Sequence, residues 1–292
     1  MSQTILITGG NTGLGLEAVR AIYNSPNTYT IIIGSRTLSN ADAAIATLKS
    51  ESPNSASTLS AVQLDVTSDD SISAAYTTLS TAHPHIDCLI NNAGAGLGLA
   101  TQNGEYTLRA GWNASWDVNV TGAHIVTTTF MPLLMKSSQP RLLFVTSGTS
   151  SLADTERLDN KAFQVINGSP EKGWPKPPVP NPVMMYRSAK TGLNMVRPSL
   201  SPSIKPFFSH DCADREQMMR EWSRILRNDG VKVFAISPGF LATGLGGVGV
   251  EKLKALGALD PSEGGNFIRD VVEGKRDADA GKVIRADSVQ PW

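Results

Sequence analysis

Thr4-Ile5-Leu6-Ile7-Thr8 runs directly into Gly9-Gly10-Asn11-Thr12-Gly13-Leu14-Gly15. The first five residues are each apolar or β-branched, which suits a buried strand. The glycines then open a segment, Leu14 to Tyr23, with helical spacing of its apolar residues. Gly9, Gly13 and Gly15 have no side chains, so the backbone can turn tightly and approach a phosphate closely. A strand, a glycine turn and a helix N-terminus in that order form a cradle for a pyrophosphate. An ordinary βα turn also uses glycine, so the motif needs support from the rest of the chain.

That support is the repeat of the same unit. Strand-like runs recur at Tyr29 to Gly34, Ala61 to Leu64, Cys88 to Asn91, Arg141 to Thr146, Val231 to Ile236 and Lys282 to Arg285. Helical patterns lie between most of them, at Ala41 to Lys49, Ser71 to Ala82 and Trp112 to Lys136. Regular βα alternation predicts an α/β fold with a doubly wound parallel sheet over residues 1–292, without a second domain. Ligands of such sheets bind beyond the carboxyl ends of the strands, where the strand order reverses. Two stretches break the alternation, at about 154–182 and 196–217, and both are proline-rich. Joining Met195 to Met218 would restore one amphipathic helix, whereas the 22 residues between them show no helical period. They read either as a translated intron or as a surface loop.

Composition narrows the function. Lys plus Arg equals Asp plus Glu, 26 each, so no net field draws nucleic acid. The apolar runs are strand-length and the first strand begins almost at once, so neither a membrane span nor a signal peptide is expected. Two cysteines, Cys88 and Cys212, make no disulfide framework. Cys88 reads as a buried small residue, and a reducing cytoplasm is the expected location. The histidines show no metal-ligand spacing.

The reactive groups come later in the chain. Tyr186 and Lys190 are four residues apart, which stacks a phenol and an ammonium on one helix face. A phenol has a reference pKa of about 10, and a neighbouring ammonium is expected to lower it. Ser147, just after the fifth strand, can hydrogen-bond a substrate oxygen, and Asn119 can hold a water that relays protons to Lys190. In isolation a Tyr-x-x-x-Lys pair is most simply a surface pair. Beside a nucleotide cradle it points to redox chemistry on a carbonyl or an alcohol. Arg36 follows the second strand, with no acid at Gly34 or Ser35 to take ribose hydroxyls. It is either a 2′-phosphate ligand, which would select NADP(H), or a solvated surface arginine. Asp65 and Asn91-Asn92-Ala93-Gly94 end the third and fourth strands, where they either meet the nucleotide or serve as caps and turns.

In this order the glycine motif, Asn-Asn-Ala-Gly, the Asn119 helix, Ser147, Tyr186/Lys190 and Pro238-Gly239 resemble the short-chain dehydrogenase/reductase family over essentially the whole chain. The resemblance implies a Rossmann-type sheet of order 3-2-1-4-5-6-7 and a catalytic Asn119-Ser147-Tyr186-Lys190 tetrad. It further implies cofactor contacts at Gly9, Asn11, Thr12, Gly13, Leu14, Gly15, Arg36, Asp65, Asn92, Ala93, Gly94, Tyr186, Lys190, Pro238, Gly239 and Thr243. Within the family the chain is most similar to the NADPH-dependent carbonyl reductases. Arg36 and Asn11 match their NADP positions. Ser147 and Tyr186 are 39 positions apart, a long insertion that ends in Glu171-Lys172-Gly173-Trp174-Pro175 as theirs does. Val289-Gln290-Pro291-Trp292 is also similar. In that group the insertion obstructs the dimerisation face, implying a monomer or weak homo-oligomer acting on a small carbonyl or alcohol. Ala95 to Leu99, Trp174 and Phe240 to Val250 are expected to line or cover the substrate, the last as a mobile lid or an ordinary loop. The rival reading is a nucleotide sensor or scaffold that keeps the fold without turnover.

Overall fold

A computed structural model describes residues 2–159, 161–179, 182–194 and 218–291. The stretch 196–217, whose nature the sequence leaves open, lies outside the described residues. Seven strands form one parallel sheet: β1 (Gln3–Thr8), β2 (Tyr29–Ser35), β3 (Thr58–Gln63), β4 (Cys88–Asn91), β5 (Arg141–Val145), β6 (Lys232–Ile236) and β7 (Val283–Ile284). Their order is β3-β2-β1-β4-β5-β6-β7, as expected. β1 pairs with β2 on one side and β4 on the other, so the strand order reverses at β1.

The helices in chain order are α1 (Gly13–Tyr23), α2 (Leu38–Glu51), α3 (Asp69–Ala82), α4 (Gly98–Gln102), α5 (Leu108–Trp116), α6 (Gly122–Leu134), α7 (Lys161–Asn167), α8 (Met184–Leu193), α9 (Met218–Ile225), α10 (Val250–Ala255) and α11 (Pro261–Val272). Side chains alternate across the sheet with a period of two. Ile5, Ile7, Ile31, Ile33, Ile90 and Phe234 pack with residues of α1, α2 and α11 on one face. Leu6, Ile32, Leu89, Phe144 and Val233 pack with α3 and α6 on the other. Burial of both faces explains why the strands are continuous apolar runs. Cys88 is buried in β4.

Three local differences from the sequence reading matter for the site. The helix expected over Trp112 to Lys136 is α5 and α6 joined by a π-helical turn, Asp117–Thr121, with Asn119 at its centre. The insertion after β5 is not all loop, because it contains α7. The last strand is two residues long, since the chain then turns back through an antiparallel bridge between Ile284 and Val289.

Candidate active site

The glycine turn has the geometry of an anion cradle. Gly9 (φ +64°) and Gly13 (φ +54°) adopt left-handed backbone conformations that favour glycine. Gly15 is required for a different reason. A Cβ there would lie 2.2 Å from the Gly9 carbonyl oxygen and 2.4 Å from Asn92 Nδ2. Thr12 precedes α1 in an extended conformation without capping it, and the first turn carries no acid. The amides at the start of α1 are therefore open to an anion.

The turn is held from β4. Asn92 Nδ2 donates to the Thr8 carbonyl at 2.9 Å and the Gly9 carbonyl at 3.1 Å. The buried Thr8 hydroxyl accepts the amides of Asn92 at 3.0 Å and Ala93 at 2.9 Å, and donates to the Ile90 carbonyl at 3.4 Å. Asn92 thus spends its amide on the cradle's shape. Thr8 does as much, and the sequence reading missed it, because its partners lie more than 80 residues away. Asp65 Oδ1 accepts the Thr67 amide at 3.0 Å and the Thr67 hydroxyl at 2.8 Å, an Asx turn at the end of β3. Arg36 is exposed at the end of β2 and makes no ion pair among the described residues. Thr243 faces the cradle: a Cβ on Gly13 would meet Thr243 Cβ at 3.9 Å. Gly239, with φ +101°, turns the chain towards it.

The four reactive residues converge beyond the ends of β4 and β5. Asn119 is buried; its Nδ2 donates to the Ser115 carbonyl at 2.8 Å and the Ala95 carbonyl at 2.9 Å, and its Oδ1 accepts the Ala95 amide at 3.3 Å. The side chain ties the β4–α4 loop to the π-helical turn, the kind of helix irregularity that recurs at functional sites. Helix α8 docks with Gly192 under the Trp116 ring, whose nearest atom would lie 2.3 Å from an added Cβ. Thr191 Oγ1 also donates to the Ser150 carbonyl at 3.2 Å. This places Lys190 Nζ beside Asn119: a Cβ on Gly94 would meet Asn119 Oδ1 at 2.7 Å and Lys190 Nζ at 3.3 Å. Nζ donates to the Val145 carbonyl at 2.8 Å and lies 5.7 Å from the Tyr186 ring centroid. Ser147 Oγ accepts the Thr149 amide at 3.2 Å and shares a 2.9 Å hydrogen bond with the Thr149 hydroxyl.

Electrostatics follow burial. Burial pushes the Tyr186 phenol above its ordinary range, and a hydrogen bond from Ser147 acts in the opposite direction. Burial also lowers Lys190 to about 7. The expectation that an ammonium lowers the phenol is therefore not met in this state. Lys190 Nζ is engaged with a backbone carbonyl, and its own charged form is penalised by the same burial.

The two loops expected to line the substrate are in contact. A Cβ on Gly96 would lie 3.2 Å from Gly246 Cα, and one on Gly247 would lie 3.8 Å from Leu99. Trp174, expected over the site, is 88% exposed. Among the described residues no helix is long and apolar enough to cross a membrane.

The chain belongs to the short-chain dehydrogenase/reductase family of oxidoreductases. The family profile described as short chain dehydrogenase matches residues 3–156. Among individual proteins, the short-chain dehydrogenase/reductase eupG of a Phoma species is 42% identical over 296 aligned positions, covering 98% of this chain and 96% of that protein. The short-chain dehydrogenase/reductase tropE of Talaromyces stipitatus is 39% identical, covering 99% of this chain and 97% of its own length. Among solved structures, the NADPH-bound carbonyl reductase from chicken fatty liver superposes with a TM-score of 0.71 at 22% identity, covering 100% of this chain and 99% of that one.

Proposed function

We propose that this protein is an NADPH-dependent reductase that converts a ketone, aldehyde or quinone-like carbonyl to an alcohol. The observation that carries the reading is the meeting of Asn119, Ser147, Tyr186 and Lys190 beside a glycine cradle with an uncapped helix N-terminus. The cradle suits a dinucleotide, since Gly9 and Gly13 turn the backbone at positive φ onto a helix N-terminus that no side chain caps and no acid shields. The exposed Arg36, with no acid at Gly34 or Ser35, favours the phosphorylated cofactor.

NADPH, when bound, supplies the hydride. Ser147 orients the substrate oxygen through its hydroxyl. Tyr186, held neutral by burial, keeps at its Oη the proton that this oxygen needs. Lys190 titrates near neutrality and is placed to hold a proton on Nζ behind Tyr186. Asn119 fixes the loop and helix between which Nζ sits.

A carbonyl panel assayed with NADPH and with NADH tests the activity. Tyr186→Phe should lower kcat by about 10²- to 10⁴-fold and leave NADPH affinity within a few fold. A Phe variant with the wild-type rate refutes the proton-donor role. If no carbonyl of the panel makes the wild type oxidise NADPH, the activity is refuted and a non-catalytic nucleotide binder is favoured.

A further inference from the structure

We infer that Gln290 is a positioning residue: its side-chain amide, delivered from the segment after β7, holds the Ser147 backbone so that the Ser147 hydroxyl faces Tyr186. The inference rests on the proposed reductase activity. Gln290 is not among the four reactive residues, yet it is 6% exposed, far more buried than glutamines usually are. Its Nε2 donates to the Ser147 carbonyl at 3.3 Å and to Ser150 Oγ at 3.3 Å.

Ser150 is the other half of the device. It is fully buried, and its hydroxyl donates to the Ser147 carbonyl at 2.5 Å. The same oxygen accepts Asn194 Nδ2, from the end of α8, at 2.9 Å. A serine hydroxyl has one proton and two lone pairs. Donation to Ser147 and acceptance from Asn194 and Gln290 use these, and the Thr146 hydroxyl lies 3.3 Å away as a further neighbour. The Ser150 amide also donates to the Ser147 carbonyl, at 3.1 Å. The Ser147 carbonyl is therefore held from its own turn and from Gln290, while its hydroxyl, bonded to Thr149, also reaches Tyr186.

Gln290 is itself aimed. Its Oε1 accepts Arg285 Nε at 3.3 Å, and its backbone amide donates to the Val283 carbonyl at 2.9 Å. Arg285 pairs with Asp154, a buried acid in the next turn, Ala153–Glu156. Arg276 clamps the returning segment through the carbonyls of Arg285 at 2.7 Å and Ala286 at 2.9 Å. The brace thus runs from Arg276 through Arg285 and Gln290 to Ser147.

Gln290→Met keeps the volume and removes both donors. Gln290→Glu keeps an acceptor for Arg285 but offers no donor to Ser147. Each should lower kcat by about three- to tenfold, the range of one lost hydrogen bond, with KM for NADPH little changed and Tm lower by only a few degrees. The deciding readout is a double-mutant cycle: in a Ser147→Ala background, Gln290→Met should have no further effect on kcat. A crystal structure of Gln290→Met should place Ser147 Oγ away from Tyr186. Wild-type kcat in both variants overturns the inference. So does a loss that persists undiminished in Ser147→Ala, or failure of both variants to fold, since either makes Gln290 a general structural residue. If the wild type reduces no carbonyl, the proposed function fails. The crystal structure then still decides the inference, and an unmoved Ser147 hydroxyl overturns it.

Discussion

Gly94→Ala adds one methyl group where the two buried halves of the candidate site touch. The new Cβ would sit 2.7 Å from Asn119 Oδ1 and 3.3 Å from Lys190 Nζ. Non-bonded heavy atoms are comfortable at about 3.5–4.0 Å, so the Asn119 oxygen would have to retreat by roughly 0.8 Å. It is poorly placed to do so. The other end of the same amide is pinned by the Ser115 and Ala95 carbonyls at 2.8 and 2.9 Å, so rotation sacrifices those bonds or the one from the Ala95 amide. Overpacking of this kind costs about 1–3 kcal/mol, which lowers Tm by about 2–4 °C per kcal/mol in chains of roughly this size. The effect on rate should be larger, since a misplacement of about 1 Å near reacting groups can cost about 10²-fold. NADPH oxidation and thermal melts of wild type and Gly94→Ala measure both quantities. Gly244→Ala is the control for Tm, because a Cβ there meets nothing within 4 Å. A Gly94→Ala enzyme with wild-type kcat would show that Asn119 and Lys190 need not hold these positions, and the proposed roles of both would fall.

Arg36→Ala should weaken NADPH by roughly ten- to a hundredfold, from a charged hydrogen bond of about 1.5–3 kcal/mol, and leave NADH little changed. Equal losses for both cofactors in titration calorimetry would count against the phosphate contact. Lys190 makes a prediction about pH and stability without cofactor. Its folded pKa, about 7, lies below its ordinary 10.5, so between these values the unfolded chain binds more protons. Stability should therefore rise with pH across that window, and Lys190→Met should lose that part of the slope. Urea midpoints that vary identically in the two proteins would refute the burial of this ammonium.

The sheet was legible because both its faces are covered, which turns Ile5 to Ile7, Ile31 to Ile33 and Leu142 to Val145 into apolar runs a reader can recognise. Gly9, Gly13, Tyr186 and Lys190 were legible because local backbone geometry and helix spacing demand them. The π-helical turn was not. It is formed with Asn119 bonding to the Ser115 carbonyl, and nothing in the local residue types marks a turn of that kind. Thr8 and Gln290 were equally invisible as working residues, since their roles depend on partners more than 80 and about 140 positions away. The Tyr186–Lys190 spacing suggested mutual charge stabilisation, but spacing carries no information about burial, and burial governs both pKa values.

The Thr8 hydroxyl has a consequence for how cofactor choice can change in this scaffold. The bonds that seam β1 to β4 are the same bonds that shape the cradle. A substitution at Thr8 or Asn92 would therefore alter folding and nucleotide affinity together, with no route to trade one against the other. Arg36 stands outside this seam, exposed on the rim of β2, where exchange for an acid disturbs no bond of the core. If the proposed roles of the cradle and of Arg36 hold, nucleotide retention and nucleotide preference lie on separable parts of the molecule. Laboratory retargeting from one cofactor to the other should begin at Arg36 and leave the seam untouched.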